Sequence, residues 1–307
     1  MIEFRDPVIE DRAWVEELFH AAGNRGCEYS FATMFLWHSA YRQKVARFGD
    51  FVLEYLTGSI GPSYLFPAGQ GDLRPVIEAL EADAAERGEP CKLICVTAGH
   101  MEQLESLFPG QYEYTTDRFG FDYLYEIDRL ASLGGKKLHA KRNHIHRFEE
   151  AHPDWTVEEI TPANLPECVS MNRDWNRLYR NRDTEDGTPE DETLRDESHA
   201  LARAFQHYED LGLSGLLLRT EGKVAAFTMG SPITPDTFDI HFEKAYSEMQ
   251  GAYPLINREF ARWIQARWPE VRYLNREDDM GVEGLRKAKE SYYPDLMVEK
   301  HSAVRKE

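Results

Sequence analysis

The sequence predicts two tandem α/β domains built on mixed sheets. Three observations carry this expectation. A chain of 307 residues holds two domains at ~150 residues each. Short β-type runs alternate with amphipathic helical stretches along its whole length. The order of those elements also occurs twice: helix, helix, three antiparallel-type strands, helix, strand, helix, strand. The seam falls near residues 130–135, giving expected domains 1–133 and 134–307.

The first half opens with Asp6-Pro7, a good N-cap and first-turn pair, and a helical pattern to Ala22. Val8, Trp14, Val15, Leu18 and Phe19 fall roughly on one face. A second apolar stretch, 30–41, follows. Three β-type runs come next, at 44–48, 51–56 and 63–66, with Gly49-Asp50 as a hairpin signal between the first two. A helix over 72–87 ends at Gly88, and a strand is expected at 92–96. A short helix over 101–107 stops at Pro109-Gly110, ahead of aromatic strands at 112–115 and 121–127.

After Leu133-Gly134-Gly135 the second half is expected to run as a helix over 136–150 and a short strand at 156–160. Helices follow over 162–179 and 193–211. Strands at 215–220 and 223–230 are joined by Glu221-Gly222, a second hairpin signal. A third strand covers 238–244. A helix over 252–267, a strand at 271–274, a helix over 282–290 and a last strand at 296–301 complete the order. This order, twice over, is that of the acyltransferase superfamily GNAT, in which the sheet splays to admit a ligand.

Charge and composition exclude several classes. Lys and Arg number 36 against 54 Asp and Glu, a formal net charge of −18. Such a chain repels nucleic acid and anionic membrane on average, so binding of either requires a local basic patch. A hydrophobic content of 42% supports packed cores and excludes general disorder. The longest uncharged apolar stretches, such as residues 211–218, fall far short of the ~20 residues of a membrane helix. The N-terminus has no basic region leading into an apolar one, so no secretory signal is expected. Cys27, Cys91, Cys95 and Cys168 do not make a disulfide scaffold, and Cys91 and Cys95 are expected to pack in a core. A cytoplasmic protein is the expectation.

Three clusters concentrate chemistry. Lys136, Lys137, Lys141, Arg142 and Arg147, with His139, His144 and His146, lie in twelve residues without an acid. On a helix Lys137, Lys141 and His144 share a face. Lys137, Lys141 and Arg142 are candidate nucleic-acid contacts. The competing reading is a solvated helix docked on the acidic stretch 183–197, which has eight acids and one Arg. The histidines lack Cys or carboxylate neighbours at ligand spacing, so no metal is expected. The second cluster is Asn275-Arg276-Glu277-Asp278-Asp279-Met280-Gly281 at the end of a strand, where open α/β sheets place ligands. Arg286 and Lys289 follow it on one helical face. The third is Ile240-His241-Phe242-Glu243-Lys244, leading through Gln250-Gly251-Ala252-Tyr253 into a helix. Its glycine would let backbone N–H groups approach an anion. For Glu243 the alternatives are a base or amine anchor and a salt bridge to a neighbouring strand. No Walker loop, Gly-x-Ser-x-Gly elbow or dinucleotide glycine pattern occurs.

At these clusters the chain resembles the phosphatidylglycerol lysyltransferase C-terminal domain-like family. The matching stretches are Glu28-Tyr29-Ser30-Phe31-Ala32 with Trp37, Gly135-Lys136-Lys137-Leu138 through Phe148, Phe242-Glu243-Lys244-Ala245, and residues 275–281 with 284–292. Together they span nearly the whole chain. The resemblance implies a tandem GNAT-like pair that takes an aminoacyl group from charged tRNA and passes it to a lipid hydroxyl. It also implies catalytic roles for Glu277, Lys289 and Glu243, with Glu277 as base towards the acceptor. Lys289 and Arg286 would stabilise an oxyanion or a tRNA phosphate. Asp278, Asn275, Arg286, Tyr292, Gln250 and Gly251 are the candidate substrate contacts, Asp278 or Glu243 gripping an α-amino group.

The expected activity is therefore transfer of an aminoacyl or acyl group to a small soluble or peripheral lipid acceptor. The donor is aminoacyl-tRNA or acyl-CoA, and no resident cofactor is implied. Acyl-CoA-dependent N-acylation is one alternative, against which the acyl-CoA loop here is short and has one glycine. A non-catalytic module of the same fold, binding a ligand or partner, is the other.

Overall fold

A computed structural model describes residues 1–58, 60–116, 118–180 and 189–306. The chain runs through α1 (Arg12–Ala22), α2 (Phe31–Tyr41), β1 (Lys44–Phe48), β2 (Phe51–Leu56), β3 (Ser63–Leu65), β4 (Ala68–Gly69), α3 (Arg74–Arg87) and β5 (Lys92–Val96). It continues through α4 (Ala98–Leu107), β6 (Tyr112–Thr116), β7 (Asp122–Glu126), α5 (Ile127–Ser132), α6 (His139–Ala151), β8 (Thr156–Glu159), α7 (Leu165–Arg180) and α8 (Pro189–Gln206). Then come β9 (Ser214–Thr220), β10 (Lys223–Thr234), β11 (Thr237–Ala245), α9 (Ala252–Arg267), β12 (Tyr273–Asn275), α10 (Glu283–Glu290), β13 (Leu296–Val298) and β14 (His301–Arg305). Among the described residues no helix is long and apolar enough to cross a membrane.

The chain forms two compact units that do not follow chain order. The first comprises residues 1–124, 277–291 and 296–307; the second comprises 125–276 and 292–295. This differs from the division at 133/134. The physical reason is β14, which inserts between β5 and β6 and pairs antiparallel with both. The candidate loop 277–281, assigned by sequence to the second domain, therefore belongs to the first unit.

In the first unit the sheet order is β1-β2-β3-β5-β14-β6, with β4 on β2. β1, β2 and β3 are antiparallel neighbours, and β3 then pairs parallel with β5 across the helix α3. α3 begins with a proline in its first turn and ends at Gly88, whose φ of 73° suits a left-handed cap. Its buried Val76, Ile77 and Leu80 pack on Leu53, Tyr64, Phe66 and Leu93 of the sheet. β13 pairs antiparallel with β7 over Leu296 to Val298 and Leu124 to Asp122.

The second unit repeats the pattern. β9, β10 and β11 are antiparallel neighbours, and β11 pairs parallel with β12 across α9. Its core centres on Phe227, Phe238 and Phe260, all wholly buried, with Phe238 edge-on to Phe260 at 5.7 Å. In both units the parallel pair is short: Tyr64 and Leu65 meet β5, and Thr237 to Asp239 meet β12. This is the mixed α/β architecture, present twice, that the element order predicts.

Several boundaries differ from expectation. No helix starts at Pro7; the N-terminal turn begins at Ile9 and is organised by Asp11, which accepts from Val8 N at 2.9 Å and Trp14 Nε1 at 2.9 Å. The run 296–301 divides into β13 and β14. α6 starts at His139, so Lys136 and Lys137 lie in the turn before it and do not share its face. Of the acidic stretch 183–197, residues 183–188 lie outside the described residues, and the rest belongs to α8, which starts at Pro189.

Gly251 caps α9 with φ 100°. A Cβ there would lie 2.2 Å from the carbonyl oxygen of His144 on α6, so packing of two helices demands the glycine. Gly251→Ala is expected to destabilise the protein by ~2–4 kcal/mol, from left-handed strain plus overpacking. Urea denaturation followed by circular dichroism measures this; a loss below ~0.5 kcal/mol would contradict the packing argument.

Candidate functional site

A cavity of about 380 Å³ opens in the first unit where the β3–β5 pairing ends. The turn before α2 supplies Cys27 and Glu28, α2 supplies Thr33, Trp37 and Tyr41, and β2 supplies Glu54. β5 contributes Lys92 and Cys95, the loop after β12 contributes Glu277 and Asp278, and Lys300 and His301 come from the entry to β14. The β5–β14 register shifts opposite Cys95, which has a φ of 57°. Such a bulge re-aims side chains at the rim of a sheet. Cys95 is thus a cavity residue, whereas Cys91 is buried in the core as expected.

The wall is organised by one buried ammonium. Lys300 Nζ donates to Asp122 Oδ1 at 2.6 Å, to Glu28 Oε1 at 2.6 Å and to Cys27 Sγ at 3.6 Å. Asp122 Oδ2 in turn accepts from the backbone N–H of Cys27 at 2.8 Å. Burial disfavours the charge of Lys300, but Asp122, Cys27 and Glu28 outweigh it and hold the amine well above its ordinary range. Burial pushes Glu28 up despite Lys300, and drives the Cys27 and Cys95 thiols well up, into the unreactive form. Cys27, Glu28 and Asp122 bring ligand atoms within 4.8 Å of one another, and the cation among them is the lysine.

Glu54 lies in the middle of β2, all six residues of which are buried. The Gln43 amide donates to its Oε2, while Oε1 has no hydrogen-bond partner among the described residues. Burial pushes its carboxyl up to about 8. Thr33 Oγ1 is likewise buried without a partner among the described residues, and the Cys95 thiol lies within reach of the Glu28 carboxyl. Half-buried Asp278 is pushed up to about 7, by burial first, with Lys300 opposing and Asp122 reinforcing.

The loop carrying Glu277 and Asp278 is held by Asp279. This wholly buried carboxylate accepts from Arg286 Nε and Nη2, both at 2.9 Å, from Tyr123 Oη at 2.6 Å and from Gly281 N at 2.9 Å. Burial would raise Asp279, but these donors leave it at about 2. The Lys289 ammonium donates to the backbone carbonyl of Asp278. Arg286 and Lys289, expected to meet an oxyanion or phosphate, are engaged in shaping the loop. Glu277 and Met280 adopt φ of 56° and 51°, uncommon for residues with a Cβ.

The remaining sequence candidates lie in the second unit. Glu243 is paired with Arg276 at 3.0 Å and accepts from Asn257 Nδ2 at 3.1 Å. Arg276 also donates to Tyr253 Oη at 3.0 Å and lies 4.9 Å over the Tyr292 ring. This realises the salt-bridge alternative for Glu243. A cavity of about 320 Å³ here is lined by Trp175, Glu243, Gln250, Gly251 and Tyr253 among others. Asn275 is buried in β12, opposite Asp239. Tyr292 is buried with Lys141 Nζ 4.0 Å over its ring; burial and the charge of Arg276 lower Lys141 to about 8. The Arg142 guanidinium donates to the carbonyls of Leu133 and Gly135, fastening the turn before α6. Lys137 lies 5.0 Å over Tyr293, and Lys136, Lys137 and Arg147 remain exposed.

Sequence reading missed Gln43, Glu54, Asp122 and Lys300 as site residues, and used Glu28 only as part of a resemblance. One signal was present: Glu54 is a lone acid within the apolar run Phe51-Val52-Leu53-Glu54-Tyr55-Leu56. Asp122 and Lys300 are 178 residues apart, and no local pattern announces their pairing.

Comparison with known proteins gives the lineage. The family model described as phosphatidylglycerol lysyltransferase, C-terminal, matches residues 19–304. The chain belongs to that family. A conserved protein of unknown function from Bacteroides thetaiotaomicron is 37% identical, with each chain covered in full and a TM-score of 0.91. The structure of L-PGS from Bacillus licheniformis shares the fold at 16% identity and a TM-score of 0.67, covering 99% of this chain and 94% of that one. An uncharacterised protein of Mycoplasmoides gallisepticum is 21% identical over 295 residues, 89% of this chain and 88% of its own length.

The raised carboxyl of Glu54 has a stability consequence. Its protonated form contributes stability that is fully present below the ordinary glutamate range and is lost as pH rises through about 8. Glu54→Gln, which keeps a neutral side chain of the same shape, is expected to gain on the parent by a few kcal/mol between pH 5 and pH 9. Urea midpoints of both proteins across that range measure it. A pH-independent difference would mean that Glu54 ionises freely.

Proposed function

We propose that this chain is an aminoacyl or acyl transferase whose reacting groups meet in the cavity of the first unit. The observation that carries this reading is Asp278, on that cavity and titrating near neutrality. A general base works best when its pKa lies near the operating pH. Membership of a family named for lysyl transfer to phosphatidylglycerol supplies the reaction class. In the proposed step an acceptor O–H or N–H attacks the carbonyl carbon of the donor ester. Asp278 takes the acceptor's proton, the ester C–O bond breaks, and the leaving oxygen receives a proton in turn. Asp278 thereby fills the base role that resemblance suggested for Glu277, which lines the same wall.

The donor we favour is charged tRNA, which places the reaction in the cytoplasm, with a small soluble or peripheral lipid acceptor. Exposed Lys136, Lys137 and Arg147 are the phosphate contacts we propose, in place of the engaged Arg142 and Lys141. Acyl-CoA is the competing donor.

Incubation with tRNA carrying labelled lysine, phosphatidylglycerol vesicles and a panel of soluble amines and alcohols tests this. Label is expected to move to an acceptor at a rate that falls as pH drops through about 7. Asp278→Asn should lower kcat by ~10²–10⁴ and abolish that pH limb. Transfer from acyl-CoA but not from tRNA would replace the donor. An unchanged rate and pH profile in Asp278→Asn would remove the base assignment.

A further inference from the structure

We propose that Glu54 is the general acid of the transfer step, its Oε1–H delivering a proton to the leaving oxygen of the donor ester. This rests on the transferase reading and goes beyond it, supplying the proton donor that the step requires. Glu54 lines the same cavity as Asp278.

The setting of the carboxyl carries the argument. β2 is buried along its whole length, and Glu54 is its one acid. Buried Asp11, Asp83 and Asp279, and Glu243 on β11, each meet an arginine, as carboxylates that fasten a fold do. Glu54 meets the neutral amide of Gln43. That N–H donates to Oε2, which marks Oε2 as the carbonyl oxygen and leaves the acid proton on Oε1. Oε1 has no hydrogen-bond partner among the described residues, so its O–H is available to a ligand in the cavity. An acid at such a strand position costs stability that an apolar residue would not. A buried polar group retained without a structural partner calls for another role, and catalysis is one.

The titratable groups around Glu54 come from each wall of the cavity. Cys27 and Glu28 lie on the turn, Tyr41 on α2, and Lys92 and Cys95 on β5. Glu277 and Asp278 on the loop, with Lys300 and His301 at the entry to β14, complete the set. Burial raises Glu54 to about 8, with Gln43 opposing and Glu28 reinforcing, while Asp278 stands at about 7. Two carboxyls in one site whose surroundings push them apart form an acid and base pair. Between those two values the base is ionised and the acid keeps its proton.

In the step, the acceptor's N or O bonds to the ester carbon as Asp278 takes its proton. The ester C–O bond breaks, its electron pair stays on the leaving oxygen, and that oxygen takes the Glu54 proton. Asp278 is left protonated and Glu54 ionised. Glu54 is the weaker acid, so the proton returns to it from Asp278 through solvent, and no net proton is consumed.

The test is the single-turnover rate of lysyl transfer from charged tRNA by the full chain, measured from pH 5 to pH 10. The parent's rate is expected to rise through about 7 and fall through about 8. Glu54→Gln should lower it ~10²–10³-fold and remove the falling limb while keeping the rising one. Circular dichroism at each pH separates loss of rate from loss of fold. Infrared difference spectra give a reading without turnover: the parent is expected to lose, through about 8, a protonated-carboxyl band that Glu54→Gln lacks. A falling limb retained in Glu54→Gln, a loss below ~10-fold, or a Glu54 band already absent at pH 7 overturns the acid assignment. With transfer by the parent, those outcomes leave the transferase reading standing. No transfer by the parent from either charged tRNA or acyl-CoA overturns the transferase reading, and the acid role with it.

Discussion

One buried ammonium sets the terms for the first unit. Lys300 gathers Glu28 and Asp122, and with them the backbone of Cys27, from three parts of the chain that share no local signal. A buried charge is tolerated when paired and hydrogen-bonded, and removing one partner leaves the rest uncompensated. The turn before α2, the start of β7 and the entry to β14 are therefore positioned by a single mutual requirement. The cavity wall follows from it: Glu28 has one oxygen on the lysine, beside the Cys95 thiol. Glu54, farther along the same wall, is left to the neutral Gln43 and stays largely protonated near neutral pH.

The second unit solves the same electrostatic problem differently. Glu243 on β11 has Arg276 and Asn257 as direct partners, and Arg276 is itself wrapped by Tyr253 and Tyr292. Those partners satisfy the Glu243 carboxylate from within its own unit. The repeated architecture thus contains one strand carboxylate with its counter-ion built in and one without.

Much of the fold was legible because its elements obey local rules. The helix ended by Gly88, the hairpin at Gly49-Asp50 and the repeated order of strands and helices were all written in period and turn chemistry. The candidate loop 275–281 was legible too, since polar residues at the end of a short strand mark the open edge of a sheet. What escaped was non-local. Arg286 was expected to meet an oxyanion or a phosphate, and the structure instead joins it to buried Asp279 in one bidentate pair. Arg142 resembled a phosphate contact until it was found holding two carbonyls of its own turn. The start of α6 at His139 removed Lys137 from the face it was expected to share. Glu54 stood in plain view, but a strand residue with its neighbours reads as core until the space beside it is known.

The insertion of β14 between β5 and β6 governs how the protein can be made. Those neighbours emerge from the ribosome long before the strand that joins them. About 185 residues separate β6 from β14, which at typical elongation rates is on the order of ten to forty seconds. Throughout that interval the nascent first unit presents two unzipped strand edges, and Asp122 and Glu28 have no cation. Completion of the cavity wall therefore waits for β14, which closes a sheet whose other strands all precede it in the chain. A truncated product would retain the earlier elements and lack the wall that gives them a purpose.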